Sequence, residues 1–203
     1  MVGTGWSVGA PYQPPSDDVL FVSDLLDHLQ AALCVDPQRI YATGKSNGAG
    51  FTALLACRLQ HRIAAFATIA GAFYPETTVG CRPGRSVSIV YFHGTADPIV
   101  GYDGEASSHG EPLPALMDWV RHWAEHDHCG PAASTTIGTD VTEIAYGHCA
   151  AHADVVHYRI EGAGHTWPGE LVDSGPGSAT QTVSATRVLW RFFLTHPLTP
   201  RGK

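Results

Sequence analysis

The pentapeptide Gly44-Lys45-Ser46-Asn47-Gly48 constrains this chain more than any other feature, because of what stands on either side of it. Arg39-Ile40-Tyr41-Ala42-Thr43 reads as a short buried strand, and about Ala49 to Leu59 reads as a helix. A G-x-S-x-G run between a strand and a helix is a turn that holds its serine at a sharp, strained point. Its flanking positions must be small where the backbone folds back on itself, and the following helix aims its positive end at any anion formed beside the hydroxyl. With 22 glycines in the chain the bare pentapeptide is easy to meet by chance. The strand before it and the helix after it favour the nucleophile turn over an incidental Gly/Ser loop.

The same alternation continues along the chain. Residues 1–15 read as loop, Ser16 as an N-cap, and Val19, Leu20, Val22, Leu25, Leu26, Leu29 and Leu33 recur at helical spacing. Ile63 to Ala70 and Ser86 to Phe92 are apolar strand candidates. Leu113 to His126 is a helix, Asp154 to Ile160 a last strand, and Thr182 to Thr195 a closing helix. Strands alternating with helices predict an α/β fold with a mostly parallel sheet covered on both faces, in which function gathers at the carboxyl ends of the strands. At 203 residues the chain is expected to form a single domain, 1–203.

Composition narrows the chemistry. There are 12 Lys+Arg against 19 Asp+Glu and no basic run, which argues against nucleic acid and against anionic polymers, and leaves neutral substrates. No stretch approaches the roughly 20 apolar residues of a membrane span, and Met1 to Gln13 has neither the basic nor the apolar region of a secretory signal. Cys34, Cys57, Cys81, Cys129 and Cys149 lie far apart, without the paired spacing of a zinc site. Two disulfides with one free thiol and five buried thiols are both open readings.

A serine hydroxyl needs a base and an orienting carboxylate to act as a nucleophile, and in α/β-hydrolase folds these follow in chain order Ser, Asp, His at later strand ends. The strand Ser86–Phe92 leads into His93-Gly94-Thr95-Ala96-Asp97-Pro98, and Asp154–Ile160 leads into Gly164-His165-Thr166-Trp167-Pro168-Gly169. Taken singly, Asp97 could be an Asx turn before Pro98, and His165 one loop histidine among 12. All three falling in order at strand ends makes Ser46, Asp97 and His165 the candidate triad, with the Asn47 N–H as oxyanion donor.

The segments Asp17-Asp18-Val19, Asp36 through Gly48, His93-Gly94-Thr95-Ala96-Asp97 and Gly164 through Gly169 resemble the polyhydroxybutyrate depolymerase / feruloyl esterase family. That family groups with the carbohydrate esterases that include acetyl xylan esterases. The resemblance runs from about Trp6 to Phe193. It implies a secreted serine esterase of α/β-hydrolase fold, acting through an acyl-enzyme on a small-molecule or polymeric ester without metal or cofactor. Ser46, Asp97 and His165 fall on the family's triad positions. Feruloyl or acetyl esters of plant polysaccharide are the expected substrates and hydroxyalkanoate oligomers the alternative; a non-catalytic polymer- or glycan-binding remnant is the reading from another class.

Family members begin with further strands ahead of the segment corresponding to Trp6, including a His-Gly loop that supplies a second oxyanion donor. The expectation is therefore a domain incomplete at its N-terminus, with Arg39–Thr43 as an exposed apolar sheet edge. Weak activity, a homodimer through that edge or poor solubility would follow. The resemblance also suggests pairing Cys129 with Cys149 across an irregular segment. Cys57 with Cys81 is a second candidate pair, which leaves Cys34 as a buried thiol.

Other side chains invite roles. His122 and His126 share a helix face but lack the further ligands of a zinc site, so a solvated helix end is the expectation. Lys45 is expected only to rim the pocket. Trp167 could stack on an acyl or aromatic group or simply pack beneath the histidine loop, and Trp6 and Tyr102 are weaker pocket candidates.

Overall fold

The computed structural model describes residues 5–8, 17–77, 80–108, 111–172 and 174–198. Helix α1 (Asp18–Ala32) opens on Asp17, whose carboxylate accepts the Leu20 N–H at 2.9 Å, so the cap is one residue later than expected; Ser16 lies outside the described residues. Strand β1 (Tyr41–Lys45) runs straight into α2 (Asn47–Arg58) through Ser46. Next come β2 (Ala65–Ile69), β3 (Ser88–Gly94) and a small hairpin of β4 (Glu105–Ser108) and β5 (Glu111–Leu113). Helix α3 (Leu116–His126) precedes β6 (Ala132–Ile137), β7 (Val141–Tyr146), β8 (Val155–Ile160) and α4 (Ala185–Thr195).

Six strands form one sheet in the order β1-β2-β3-β8-β7-β6. The first four are parallel, and β7 and β6 continue antiparallel. Because strand side chains alternate faces, the sheet feeds two cores. Phe66, Ile89, Tyr91 and Val155 face a cluster with Phe51 and Leu54 of α2 and Trp119, Val120 and Trp123 of α3. Ala67, Ile69, Val90 and Phe92 face the opposite cluster, closed by Ala185, Leu189 and Phe193 of α4. The expected α/β layering is therefore present, with one helix on one face and the rest on the other.

Two expectations need correction. The segment between Cys129 and Cys149 is not irregular: it is the β6–β7 hairpin, in register from Ala132↔Tyr146 to Ile137↔Val141. Its residues are mostly exposed or half-buried, so no apolar run marks them. Cys34 is exposed, not buried. The disulfides Cys57–Cys81 and Cys129–Cys149 are formed. Alkylation of the native oxidised protein should accordingly label one thiol, at Cys34. Labelling of any of the other four without reductant would contradict the pairing.

Among the described residues, β1 has β2 as its sole sheet neighbour; it runs over Tyr41–Lys45 rather than Arg39–Thr43, and is half-buried except for Thr43 rather than exposed. Helix α1 packs Val19, Val22 and Leu26 against the core while Leu20, Phe21 and Leu25 remain exposed. It is fastened at the far side by Arg62, which donates to the Ser23 carbonyl and to Asp27 and Gln30.

Candidate active site

Ser46 sits where β1 ends and α2 begins, at φ 56° and ψ −123°, a conformation that costs a non-glycine residue about 1–3 kcal/mol. The strain is over-determined by its surroundings. The Ser46 N–H donates to the Ile69 carbonyl at 2.9 Å, and its own carbonyl accepts from Ala49 and Gly50 as the first helical turn. Gly44 is required by proximity: a Cβ there would stand 2.3 Å from the Gly48 carbonyl oxygen. The turn thus makes Ser46 the N-cap residue of α2, whose first-turn N–H groups have no intrahelical acceptor.

The other two candidates come from neighbouring strand ends. Asp97 follows β3 and His165 follows β8, and these strands are adjacent. Their loops are stitched together: Thr95 N–H donates to the Ile160 carbonyl, Ala96 N–H to the Ala163 carbonyl at 3.0 Å, and Gly162 N–H to the Thr95 hydroxyl. Gly94 permits this closeness, since a Cβ there would lie 2.1 Å from the Ala163 carbonyl oxygen. The result is a buried pair in which His165 Nδ1 lies 2.8 Å from Asp97 Oδ2.

Asp97 is well supplied with donors. Burial works against its ionisation, but hydrogen bonds from His165, from His93 and from the Val100 and Ile99 N–H groups outweigh that, and the carboxyl is held well below the usual carboxylate range. An ionised Asp97 fixes the proton of His165 on Nδ1, which leaves the Nε2 lone pair unprotonated. Among the described residues neither Nε2 nor the Ser46 hydroxyl has a hydrogen-bond partner, and the two are not hydrogen-bonded to each other. Such contacts commonly tighten when substrate binds.

Lys45 does more than rim a pocket. Its Nζ donates to the Ser174 carbonyl at 2.9 Å, tying the end of β1 to the long loop that carries His165. That loop is braced within itself by His165 N–H to the Pro176 carbonyl, Gly164 N–H to the Ser178 carbonyl and Trp167 N–H to the Ser174 hydroxyl. The indole of Trp167 packs on the α4-side core and donates to the Thr186 hydroxyl at 3.0 Å, the contacts of a packing aromatic.

Tyr102 is turned into the core. It is buried, with its hydroxyl 2.8 Å from His157 Nε2. Trp6 is 39% exposed and stacks on Phe51 at 4.5 Å, while its backbone N–H and carbonyl pair with both ends of the Asn47 amide. Near the end of α3, His126 bonds to Asp127 and to the Pro83 carbonyl, and Asp127 is fully buried with both oxygens on the Val87 N–H. That helix end is therefore packed rather than solvated. Among the described residues no group of three or more His, Cys, Asp or Glu could hold a metal, and no helix is long and apolar enough to cross a membrane.

No family model matches the chain. Feruloyl esterase B of Piromyces equi is 33% identical over 171 residues, covering 81% of this chain and 31% of that protein. Feruloyl esterase D of Neurospora crassa is 28% identical over 181 residues, covering 87% of this chain and 55% of that protein. Among solved structures, an acetyl xylan esterase from Aspergillus awamori superposes with a TM-score of 0.54 at 14% identity, over 72% of this chain and 61% of the other. The fold is that of an α/β hydrolase. The chain is similar, over most of its length, to proteins named feruloyl esterase, and it spans between about a third and about half of the length of these two.

Ser46, Asn47, Asp97 and His165 were the candidates in the sequence, and the structure joins the last two directly. The contacts of His93 and the strut from Lys45 were not among them. The signal for His93 was present, four residues before Asp97 at the end of a strand, but nothing in one sequence says which way that ring turns.

Proposed function

We propose that this chain carries the catalytic machinery of a secreted serine carboxylic-ester hydrolase acting on feruloyl or acetyl esters of plant polysaccharide. The observation that carries the reading is the buried Asp97–His165 pair, 2.8 Å apart at adjacent strand ends, in a sheet whose first strand ends at the strained Ser46. The esterase names of the relatives support the substrate class. The two disulfides and the scarcity of basic residues suit an extracytoplasmic enzyme working on a neutral polymer.

In this mechanism His165 Nε2 takes the Ser46 proton as Oγ attacks the ester carbonyl. Asp97 holds the imidazole with its proton on Nδ1 and stabilises the imidazolium that forms. The Asn47 N–H, at the positive end of α2, donates to the oxyanion. Collapse expels the alcohol, which receives its proton from His165. Water then attacks the acyl-enzyme with His165 again as base, releasing the acid and restoring Ser46.

The test is a panel of methyl ferulate, acetylated xylan, p-nitrophenyl butyrate and hydroxybutyrate oligomers, each assayed with the wild type and with a Ser46→Ala variant. Ser46-dependent release of ferulate or acetate is the expected result. Turnover confined to the oligomers would reassign the enzyme to hydroxyalkanoates. Binding to xylan with no Ser46-dependent turnover of any ester would make the chain a binding module.

A further inference from the structure

We propose that His93 is a positioning residue for the catalytic pair, holding the Asp97 carboxylate at the same Oδ2 that faces His165, with the buried Tyr91 phenol fixing its tautomer. The proposal rests on the triad reading above and adds a third side chain behind it.

The ring of His93 is completely enclosed at the end of β3. Its Nε2 lies 2.8 Å from the Val100 carbonyl oxygen and 3.3 Å from Asp97 Oδ2. Two oxygens facing one nitrogen require a proton on that nitrogen, so Nε2–H is a donor shared between them. Its Nδ1 faces the Tyr91 hydroxyl. Burial, reinforced by nearby Tyr102 and Asp97, pushes the Tyr91 phenol well above its ordinary pKa and keeps it protonated, while the backbone of Gly71 hydrogen-bonds its oxygen. The hydrogen bonds therefore run one way: the phenol donates to Nδ1, and Nε2–H donates to the carboxylate. A neutral imidazole satisfies every partner.

The consequence for Asp97 is geometric. Oδ1 accepts two backbone N–H groups, from Ile99 at 2.8 Å and Val100 at 2.9 Å, and Oδ2 accepts from His165 and His93. The carboxylate plane is thus set by donors from β3, from its own loop and from the loop after β8. His93 is the side-chain donor among them that the reaction itself does not use. Further charged and titratable groups surround this cluster: His157 and Arg159 from β8, Tyr102 after β3, and Asp103 and Glu161 beyond it. His157 is held neutral, its pKa pushed down to about 3 chiefly by burial, so it adds no cation near Asp97 over the working pH range.

The variants are His93→Phe, which fills the space without a donor, and His93→Gln, whose amide nitrogen can reach the place of Nε2. On p-nitrophenyl butyrate, His93→Phe should lower kcat by about 10- to 100-fold with KM unchanged, the size of one lost charge-assisted hydrogen bond. The acid limb of its kcat/KM profile should move to higher pH, because a carboxylate with one donor fewer binds a proton more readily within the coupled pair. His93→Gln should recover most of both.

A second readout needs no turnover: the far-downfield proton resonance of the His165–Asp97 hydrogen bond should shift in His93→Phe and stay near the wild-type position in His93→Gln. Wild-type kcat, profile and resonance in His93→Phe would overturn the proposal. So would equal impairment in both variants, which would mark His93 as packing alone. If Ser46→Ala keeps full turnover, the triad reading itself has failed. If Ser46→Ala is dead and His93→Phe is unaffected, only the assignment of His93 falls.

Discussion

Replacing Ser46 with alanine is expected to lower ester turnover by on the order of 10⁴- to 10⁶-fold, leaving the residual rate that the oxyanion N–H and substrate binding supply alone. The effect should appear in kcat, because the lost hydroxyl forms the bond that splits the reaction into two steps, while groups that bind the ester are untouched. Fold stability should hardly change. Alanine keeps the Cβ, so the strain at φ 56° and ψ −123° is the same before and after. Ser46→Gly separates the two contributions: it should be equally inactive yet more stable by about 1–3 kcal/mol, the strain released at this backbone position. Denaturant midpoints of the three proteins measure this directly. Full turnover in Ser46→Ala would remove the serine mechanism. A glycine variant no more stable than the alanine one would mean that the turn is not strained by its serine.

The elements that position this site were legible because they are apolar and regular. All residues of β2 and β3 are buried, and runs of that kind have few alternatives to a central strand. The turn at Ser46 was legible from its flanking elements, although the strand before it ends two residues later than the sequence suggests, at Lys45 rather than Thr43. The β6–β7 hairpin was not, because its strands lie on the far, solvated side of the sheet. Thr135, Thr136, Ile137, Val141 and Thr142 around Gly138 carry the β-branched residues and the turn glycine of a hairpin, but too few apolar groups to stand out. Contacts that depend on a side chain's direction were beyond a single sequence. Lys45 is as close to Ser46 as a residue can be, yet its partner, the Ser174 carbonyl, lies 129 positions away. Nor does one sequence show that the Trp167 indole donates to the Thr186 hydroxyl, 19 positions away.

Replacing Asp97 with asparagine should lower kcat on the order of 10⁴-fold, nearly as much as losing the nucleophile. The carboxylate does two things that an amide cannot. As an anion accepting the His165 Nδ1–H at 2.8 Å it stabilises the imidazolium of the transition state. As an acceptor it fixes the tautomer; an amide nitrogen turned to the same place would donate to Nδ1, move the ring proton to Nε2 and leave no lone pair for Ser46.

The same substitution has a signature in stability. The native carboxyl is held well below the ordinary range by His165, His93 and two backbone N–H groups acting against its burial, whereas in the unfolded chain it titrates near about 3.9. A depressed native pKa contributes stability that is whole above the unfolded value and is lost as the pH falls through the native one. Asparagine does not titrate, so the loss of stability on acidification below about pH 5 should be shallower in Asp97→Asn than in the wild type. Urea midpoints measured across that interval give the two slopes. Equal slopes would mean that the carboxylate is not held by these donors, and turnover within tenfold of wild type would mean that it does not orient His165.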